Sequence, residues 1–181
     1  MKNLVTDEYR ELLAWEHENT PGKWGHTASM YISDILIHSE GRTHWLDYGA
    51  GHGGLQIAIK AKCPNRFIIT EYEPSRTDEM IPIPHEYVVC IDVLEHVEPE
   101  LIENVLDDLK RVTIDKGYFT ISCRTAKKIL RDGRNAHLIV KGPYWWIPRL
   151  SNRFIIDSVV YTRHKSLRVV VYNKGFSKKY K

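Results

Sequence analysis

The sequence is poor in cysteine, and the three cysteines it has are far apart. Cys63, Cys90 and Cys123 form no CxxC pair, and their number is odd. A disulfide framework is typically built from an even set of cysteines, and a zinc ribbon from CxxC pairs. We therefore predict reduced, mostly buried thiols and neither of these two kinds of site.

Long apolar stretches are also missing. No run approaches the roughly 20 apolar residues of a transmembrane helix, and the N-terminal residues lack the basic start and apolar centre of a signal peptide. The composition, with 43% hydrophobic and 27% charged residues, is that of an ordinary globular chain. We therefore expect one soluble domain over residues 1–181, located in the cytoplasm and without a membrane partner.

Acidic residues are scarce in the last third of the chain. Residues 1–120 carry 11 Lys and Arg against 21 Asp and Glu, whereas residues 121–181 carry 15 against 2. The net charges of these two parts are therefore −10 and +13, although the net charge of the whole chain is +3. Two interpretations of the basic part stay open: a solubilising surface with a lysine-rich end, and a surface that attracts an anionic partner.

A glycine-rich turn between residues 45 and 54 is the most informative stretch. Apolar residues precede it, and residues 55–59 after it have apolar positions at helical spacing. This order predicts a strand, a tight loop and a helix whose first N–H groups face a ligand on the loop. A dinucleotide loop can be written from the same glycines, but Asp47 would repel a pyrophosphate. The loop therefore favours a ligand other than a dinucleotide.

The acid and the alternating glycines resemble the first motif of class I S-adenosylmethionine-dependent methyltransferases. That motif is acid-x-Gly-x-Gly-x-Gly, and it is matched in full by Asp47, Gly49, Gly51 and Gly53. The resemblance implies an α/β, Rossmann-like fold with a mostly parallel sheet of six to seven strands, an antiparallel C-terminal hairpin and helices on both faces. It also implies S-adenosylmethionine as the cofactor. The cofactor-binding residues on this basis are Asp47, Gly49, Ala50, Gly51, Glu73, Asp92 and Val93.

The resemblance assigns residues 43–175 to the core of a single methyltransferase domain. Two amphipathic patterns precede this core and predict helices over residues 7–20 and 26–38. We expect this N-terminal part, residues 1–40, to cover the cofactor site. The loop between the two helices contains Trp24, which either closes over the cofactor or anchors packing, and the second role is favoured.

The predicted second strand ends in two acids, Glu71 and Glu73. In the resembled family a carboxylate at this point binds the ribose hydroxyls of the cofactor, and Glu73 matches its position better than Glu71. The chain then departs from the family, because only 13 residues, interrupted by three prolines, separate Glu73 from the next strand at Tyr87. We predict that the third helix and third strand are missing, which leaves Asp78 as a weak candidate for the adenine contact.

A second motif follows the next strand at Asp92, Glu95 and His96. Its spacing resembles the fourth-strand motif of the family, an acid followed by x-x-Glu-His, and the helical pattern after Pro99 is apolar on one face. Both Asp47 and Asp92 then lie at carboxyl ends of strands, where ligands bind in a doubly wound sheet.

The loop after the predicted fifth strand is rich in titratable groups. Residues 125–131 have the pattern of a short helix, and the polar run 131–138 follows. His137 is the candidate general base, with Asp92 as the second catalytic residue, since an imidazole can accept a hydroxyl proton near neutral pH. A structural interpretation, with a turn at Asp132-Gly133 and His137 as a capping residue, stays open.

A divalent metal is an alternative use of the same residues. Glu95 and His96 have the spacing of the pair that helps hold a divalent ion in ubiquinone-pathway O-methyltransferases and small-RNA 2′-O-methyltransferases. In the RNA enzymes another histidine after the fifth strand completes the set, and His137 matches it. Mg²⁺, Mn²⁺ or Zn²⁺ would suit these ligands. Many metal-free methyltransferases carry the same acid-x-x-Glu-His, so the sequence favours an enzyme without a metal.

These features predict methyl transfer from S-adenosylmethionine, with S-adenosylhomocysteine as the product, to a hydroxyl or amine of a small-molecule, sugar or RNA acceptor. The basic C-terminal part favours an anionic acceptor and leaves a nucleic acid open, although no nucleic-acid-binding module is recognisable. Two other functions stay open. One is a catalytically inactive module that binds S-adenosylmethionine. The other is a nicotinamide-dependent oxidoreductase, which leaves Asp47 and the Glu95-His96 pair unexplained. The sequence specifies neither the acceptor nor an oligomeric state.

Overall fold

A six-stranded sheet forms the centre of the fold. The structure is a computed structural model that describes residues 3–20, 24–76 and 81–175. The strands in these ranges are β1 (His44–Tyr48), β2 (Ile68–Tyr72), β3 (His85–Ile91), β4 (Thr113–Ser122), β5 (Phe154–Tyr161) and β6 (Ser166–Asn173).

Four strands of the sheet are parallel, and the last two form an antiparallel hairpin. In the order β2-β1-β3-β4-β6-β5, β1 pairs in parallel with both β2 and β3, and β3 pairs in parallel with β4. β6 pairs antiparallel with β4 and β5. The mostly parallel sheet and the C-terminal hairpin that the sequence predicts are confirmed. The parallel arrangement brings the carboxyl ends of β1 to β4 to one edge, where ligands bind in such sheets.

The helices in the described ranges cover both faces of the sheet. They are α1 (Asp7–Asn19), α2 (Ile32–Ser39), α3 (Gly54–Lys62), α4 (Ile102–Val112) and α5 (Pro143–Arg153), with 3-10 helices at His26–Tyr31 and Leu94–His96. α4 and α5 pack against Leu46, Val88 and Phe119, and α2 and α3 pack against Trp45 and Val89. Successive residues of a strand point to opposite faces, so neighbours such as Trp45 and Leu46 supply both cores. None of these helices is long and apolar enough to cross a bilayer.

The connection between β2 and β3 is short. None of its described residues lies in a helix or a strand, and residues 77–80 fall outside the described ranges. This agrees with the predicted loss of the third helix and third strand, and it leaves β2 at an edge of the sheet. Asp78, the candidate for the adenine contact, lies outside the described residues.

Two predicted helices differ from the structure. The helix predicted over residues 26–38 begins as a 3-10 helix and becomes α-helical at Ile32. The helix predicted over residues 125–131 is wrong, because that segment is a loop. The Asn135 side chain accepts a hydrogen bond from the N–H of Ala126 at 3.0 Å and donates one to its carbonyl at 2.9 Å. These bonds replace the backbone bonds that a helix would make there.

Candidate functional site

A cavity of about 760 Å³ opens at the carboxyl edge of the parallel strands. Its wall combines the loops after β1, β2, β3 and β4 with α1 and the segment that follows α1. The predicted site residues in this wall are Gly49, Gly51, Glu73, Asp92, Val93, Glu95, His96 and His137. Two predicted cofactor residues, Asp47 and Ala50, are buried and do not reach the wall. The structure therefore brings both sequence motifs and His137 together in one cavity.

The glycine loop after β1 is pressed against two other segments. Gly49 and Gly51 have positive φ values of 81° and 54°. A Cβ atom on Gly49 would collide with the side chain of Val93, and one on Gly51 would lie 2.9 Å from the backbone nitrogen of Gly25. Glycine alone permits both the left-handed backbone and this close packing without strain. The two glycines therefore fit the loop to its protein neighbours.

The carboxylate of Glu73 faces the cavity from the segment after β2. Its Oε2 accepts a hydrogen bond from the N–H of Gly51 at 2.9 Å, and its Oε1 accepts bonds from the hydroxyl and N–H of Ser75 at 2.8 and 3.2 Å. Glu71 makes a different contact, since its Oε2 accepts from Arg76 at 3.0 Å. Of these two acids, only Glu73 lines the cavity.

Asp47 lies at the end of β1, close to two further acids. Strand pairing places it beside Glu71, and the side chain is buried. Burial, and then the negative charges of Glu71 and Glu73, raise the pKa of Asp47 from 3.8 to about 8. A carboxyl group with this pKa carries a proton at neutral pH. A cationic ligand nearby would favour its ionised form, so the charge state of Asp47 can respond to ligand binding.

Asp92 is held at the tip of β3 by the neighbouring strand. Its backbone is left-handed, with φ of 51°, which turns the chain from β3 into the 3-10 helix at Leu94–His96. The hydroxyl of Thr120 on β4 donates to its Oδ1 at 2.7 Å, and the N–H of Asp92 donates to the Thr120 carbonyl at 3.1 Å. These bonds fix Asp92 in the cavity wall beside the residues that follow it.

Glu95, His96 and His137 form a group of potential metal ligands. One ligand atom of each lies within 4.8 Å of the others. Glu95 is fully buried, and its Oε1 accepts from the N–H of Ser122 at 2.7 Å, whereas its Oε2 has no hydrogen-bond partner within the described chain. Burial, and then the charge of Asp92, raise the pKa of Glu95 well above its ordinary value. A buried oxygen without a partner is rare in folded proteins, and a cation or a hydrogen-bond donor would satisfy it.

Both histidines of this group are oriented by backbone carbonyls. Nδ1 of His96 donates to the carbonyl of Ala136 at 2.7 Å, and Nδ1 of His137 donates to the carbonyl of Arg124 at 2.6 Å. Because a carbonyl can only accept, each Nδ1 carries a hydrogen, and each Nε2 of a neutral ring keeps its lone pair. Burial, and then the proximity of His137, lower the pKa of His96 to about 3, so that ring is neutral at pH 7. The pair therefore offers nitrogen atoms that can bind a metal or accept a proton.

Part of the wall comes from the N-terminal segment, in which the sequence analysis singled out Trp24 but not His17. The ring of His17 stacks on Trp24 at 4.7 Å and on His52 at 5.2 Å, and Trp24 lies 5.6 Å from His96. The ammonium group of Lys128 lies over Trp24 at 4.4 Å. Trp24 thus packs between other groups and also lines the cavity. No local pattern marks His17, because its neighbours are brought to it by the fold.

α1 lies across the cavity and is fixed at both ends. The N–H and hydroxyl of Thr6 donate to the carboxylate of Glu98 at 2.9 and 2.7 Å. The Tyr9 hydroxyl donates to the carbonyl of His96, the last residue of the 3-10 helix after β3, at 2.9 Å. Glu16 pairs with Lys128 at 2.8 Å in the loop after β4. These contacts attach α1 to two of the loops that carry the predicted site residues.

No protein-family model and no curated protein matches the sequence, but solved structures match its fold. One is the N-methyltransferase NodS from Bradyrhizobium japonicum in complex with S-adenosylhomocysteine, with 14% identity, a TM-score of 0.56 and coverage of 96% of this chain and 100% of that chain. Another is the 1,6-didemethyltoxoflavin N1-methyltransferase from Burkholderia thailandensis with bound 1,6-didemethyltoxoflavin and S-adenosylhomocysteine, with 15% identity, a TM-score of 0.60 and coverage of 96% and 92%.

A third match is the magnesium protoporphyrin IX methyltransferase from Synechocystis with bound S-adenosylhomocysteine. It has 13% identity and a TM-score of 0.55, with coverage of 96% of this chain and 90% of that chain. Likeness at such low identity concerns the fold. The chain has the class I, Rossmann-like methyltransferase fold, as the sequence predicts.

Proposed function

We propose that the protein binds S-adenosylmethionine and transfers its methyl group to a hydroxyl or amine of an acceptor. One observation carries the proposal: the glycine loop and Glu73 share a single cavity with Asp92 and His137. A cofactor bound at the glycine loop and Glu73 would meet, inside this cavity, an acceptor bound at Asp92 and His137. Structures of similar fold include methyltransferases crystallised with S-adenosylhomocysteine, which supports this cofactor.

The cofactor would lie along the glycine loop. Glu73 would bind the ribose hydroxyls, because its carboxylate faces the cavity and already accepts hydrogen bonds there. A cation nearby would favour ionisation of Asp47, and the ionised carboxylate would in turn stabilise the positive charge of the sulfonium group. The cofactor-binding residues that we propose are Gly49, Gly51, Glu73, Asp92 and Val93 in the cavity wall, with Asp47 and Ala50 buried behind it.

Methyl transfer from a sulfonium depends on alignment more than on activation. The protein must hold the nucleophile in line with the methyl group and exclude water, and α1 across the cavity would serve the second need. His137 would accept the proton of a hydroxyl acceptor through Nε2, because the Arg124 carbonyl holds Nδ1. Asp92 would orient the acceptor from the tip of β3.

A divalent ion is a further cofactor that one observation favours. Glu95 presents a buried oxygen without a partner beside the nitrogen atoms of His96 and His137. Two imidazoles and one carboxylate are a ligand set of catalytic zinc sites, and metal-bound histidines typically donate their other N–H to a fixed acceptor, as both do here. As an alternative to His137 as the base, we propose these three residues as ligands of Mg²⁺, Mn²⁺ or Zn²⁺, in which case Nε2 of His137 would hold the ion instead of accepting the proton. When bound, the ion would supply a Lewis acid beside the acceptor.

Titration calorimetry tests the cofactor. Wild-type protein should bind S-adenosylmethionine, and Glu73→Ala should bind it more weakly. Glu71→Ala is the matched control, since it removes a carboxylate that does not line the cavity and should retain affinity. A wild-type protein that binds a nicotinamide dinucleotide instead would establish the oxidoreductase alternative. Binding of S-adenosylmethionine without turnover of any acceptor would favour the inactive module.

Elemental analysis tests the metal independently of activity. Protein purified without chelators should contain about one divalent ion per chain, and His96→Ala should contain much less. His85→Ala removes a histidine from the start of β3, outside the ligand group, and should retain the wild-type content. An equal metal content in the His96→Ala and His85→Ala variants would rule out the proposed ligands.

A further inference from the structure

The basic excess of the C-terminal part divides into two groups. Members of the first are neutralised by ion pairs, which include Lys128–Glu16, Arg134–Asp132, Arg149–Glu103, Arg153–Asp107 and Arg168–Asp34. Members of the second have no carboxylate partner in the part of the chain that the structure describes. Four of them are exposed, namely Arg124, Lys127, Arg163 and Lys165, and the first two line the cavity.

These four cations, the cationic rim, come together at the end of β4. Arg124 and Lys127 line the cavity in the loop after β4. Arg163 and Lys165 lie in the turn between β5 and β6. That turn is joined to the end of β4, because the N–H of Cys123 donates to the Lys165 carbonyl at 2.7 Å. The two loops that carry these cations therefore meet at the end of β4, and the first of them lines the cavity.

The cationic rim is held next to the proposed reacting groups. The carbonyl that orients His137 belongs to Arg124 itself, with a bond of 2.6 Å. The side-chain oxygen of Asn135 accepts from the N–H of Ala126 and from that of His137, each at 3.0 Å. These bonds fix the loop that carries the cations, so the distance between the rim and the base is set before a ligand arrives.

Charges of opposite sign are separated along the cavity. The acid Glu73 is buried and Asp92 is half-buried in its wall, whereas Arg124 and Lys127, which also line it, are exposed. A positively charged ligand would fit beside the acids, and a negatively charged one beside the exposed cations. A sulfonium cofactor and an anionic acceptor have these charges. A phosphate monoester carries about −1.5 to −2 charges and three acceptor oxygens, and arginine binds phosphate bidentately. A carboxylate offers one charge at one point, whereas a phosphate monoester offers up to two charges and an RNA strand offers a row of singly charged phosphodiesters, so the rim favours phosphate.

We infer that the acceptor carries a phosphate group that binds Arg124 and Lys127 while its hydroxyl or amine lies at His137. This inference rests on the proposed methyl transfer. The phosphate belongs to a small phosphorylated compound or to the backbone of an RNA strand. A strand would extend across the rim and also contact Arg163 and Lys165, whereas a small compound needs only the first two cations.

Binding of phosphorylated probes tests this without requiring turnover. Protein saturated with S-adenosylhomocysteine would be titrated with ribose 5-phosphate, with ribose and with a uridylate RNA of about ten nucleotides. Ribose 5-phosphate or the RNA should bind, and ribose should not. Arg124→Ala/Lys127→Ala should weaken that binding by about 10- to 100-fold, the range for lost charged hydrogen bonds. Lys60→Ala/Lys62→Ala removes the same charge from α3 and should bind as wild type does.

A second double variant separates the two sources of phosphate. Loss of RNA binding in Arg163→Ala/Lys165→Ala would identify RNA, and binding that depends on Arg124 and Lys127 alone would identify a small compound. The inference is overturned if neither phosphorylated probe binds wild-type protein, or if Arg124→Ala/Lys127→Ala binds as its control does. Titration of all variants with S-adenosylmethionine distinguishes this outcome from failure of the proposed function, because rim variants should retain cofactor affinity.

Discussion

The proton on Asp47 should make the stability of the ligand-free protein fall as pH rises. The unfolded chain ionises this carboxyl near pH 3.8, whereas the folded chain ionises it near pH 8. Between those values the folded state holds one more proton than the unfolded state, so the free energy of unfolding decreases by about 1.4 kcal/mol per pH unit. The decrease from pH 5 to pH 7 is therefore about 2.7 kcal/mol, and it ends above the folded pKa.

The variant Asp47→Asn isolates this contribution. Asparagine has no proton to lose at this position. The free energy of unfolding of Asp47→Asn minus that of wild type should therefore increase by about 2.7 kcal/mol between pH 5 and pH 7. Urea denaturation followed by circular dichroism measures the difference at both pH values. Other titrating groups, such as Glu95, affect both proteins and cancel in the comparison. Glu100→Gln, which alters an exposed carboxylate, is the matched control.

A constant difference between Asp47→Asn and wild type at the two pH values would refute this reasoning. Asp47 would then ionise normally in the folded protein. That result would contradict its burial beside Glu71 and Glu73, and with it the described packing of the first two strand ends.

Three further predictions concern the cofactor and the acceptor. Glu73→Ala should weaken binding of S-adenosylmethionine by about 1.5–3 kcal/mol in calorimetry, the range for lost charged hydrogen bonds. If Glu71→Ala lost cofactor affinity while Glu73→Ala kept it, the ribose contact would be assigned to Glu71 instead. Gly51→Val should abolish cofactor binding, because its Cβ would press on the Trp24–Gly25 backbone and reshape the loop; a folded variant with normal affinity would show that the loop is merely a turn. His137→Ala should lower turnover by about 10²–10⁴-fold with cofactor affinity nearly intact. If Nε2 of His137 binds a metal instead of accepting the proton, chelation should abolish wild-type activity and one particular divalent ion should restore it, whereas a fully active His137→Ala enzyme would exclude both roles.

Local patterns were enough to predict the central part of the fold and the two motifs. The loop at Asp47–Gly53 and the turn at Asp92–His96 each join a strand to a helical segment, and the order of residues alone marks such junctions. The same holds for the C-terminal hairpin, whose strands alternate in sequence. These features depend on neighbours within a few residues, which is why one sequence suffices to find them.

Contacts between distant segments could not be predicted in this way. The helix expected over residues 125–131 failed because the side chain of Asn135, outside the pattern, captures both backbone groups of Ala126. The role of α1 in the cavity depends on Thr6 meeting Glu98, 92 residues away. The close packing of Gly51 also belongs here, because the backbone that it must clear is that of Gly25. Each of these facts requires the arrangement of whole elements.

The hydrogen bonds that orient the two histidines have a mechanical consequence. The carbonyl that aims His96 belongs to Ala136, whose peptide bond leads directly into His137. A rotation of that one peptide plane would move the acceptor of His96 and the backbone N–H of His137 together. The carbonyl of Arg124, in the same loop, accepts the hydrogen bond that orients the His137 ring. Substitutions that altered the backbone of this loop would therefore reorient both rings, unless they left the carbonyls of Ala136 and Arg124 in place.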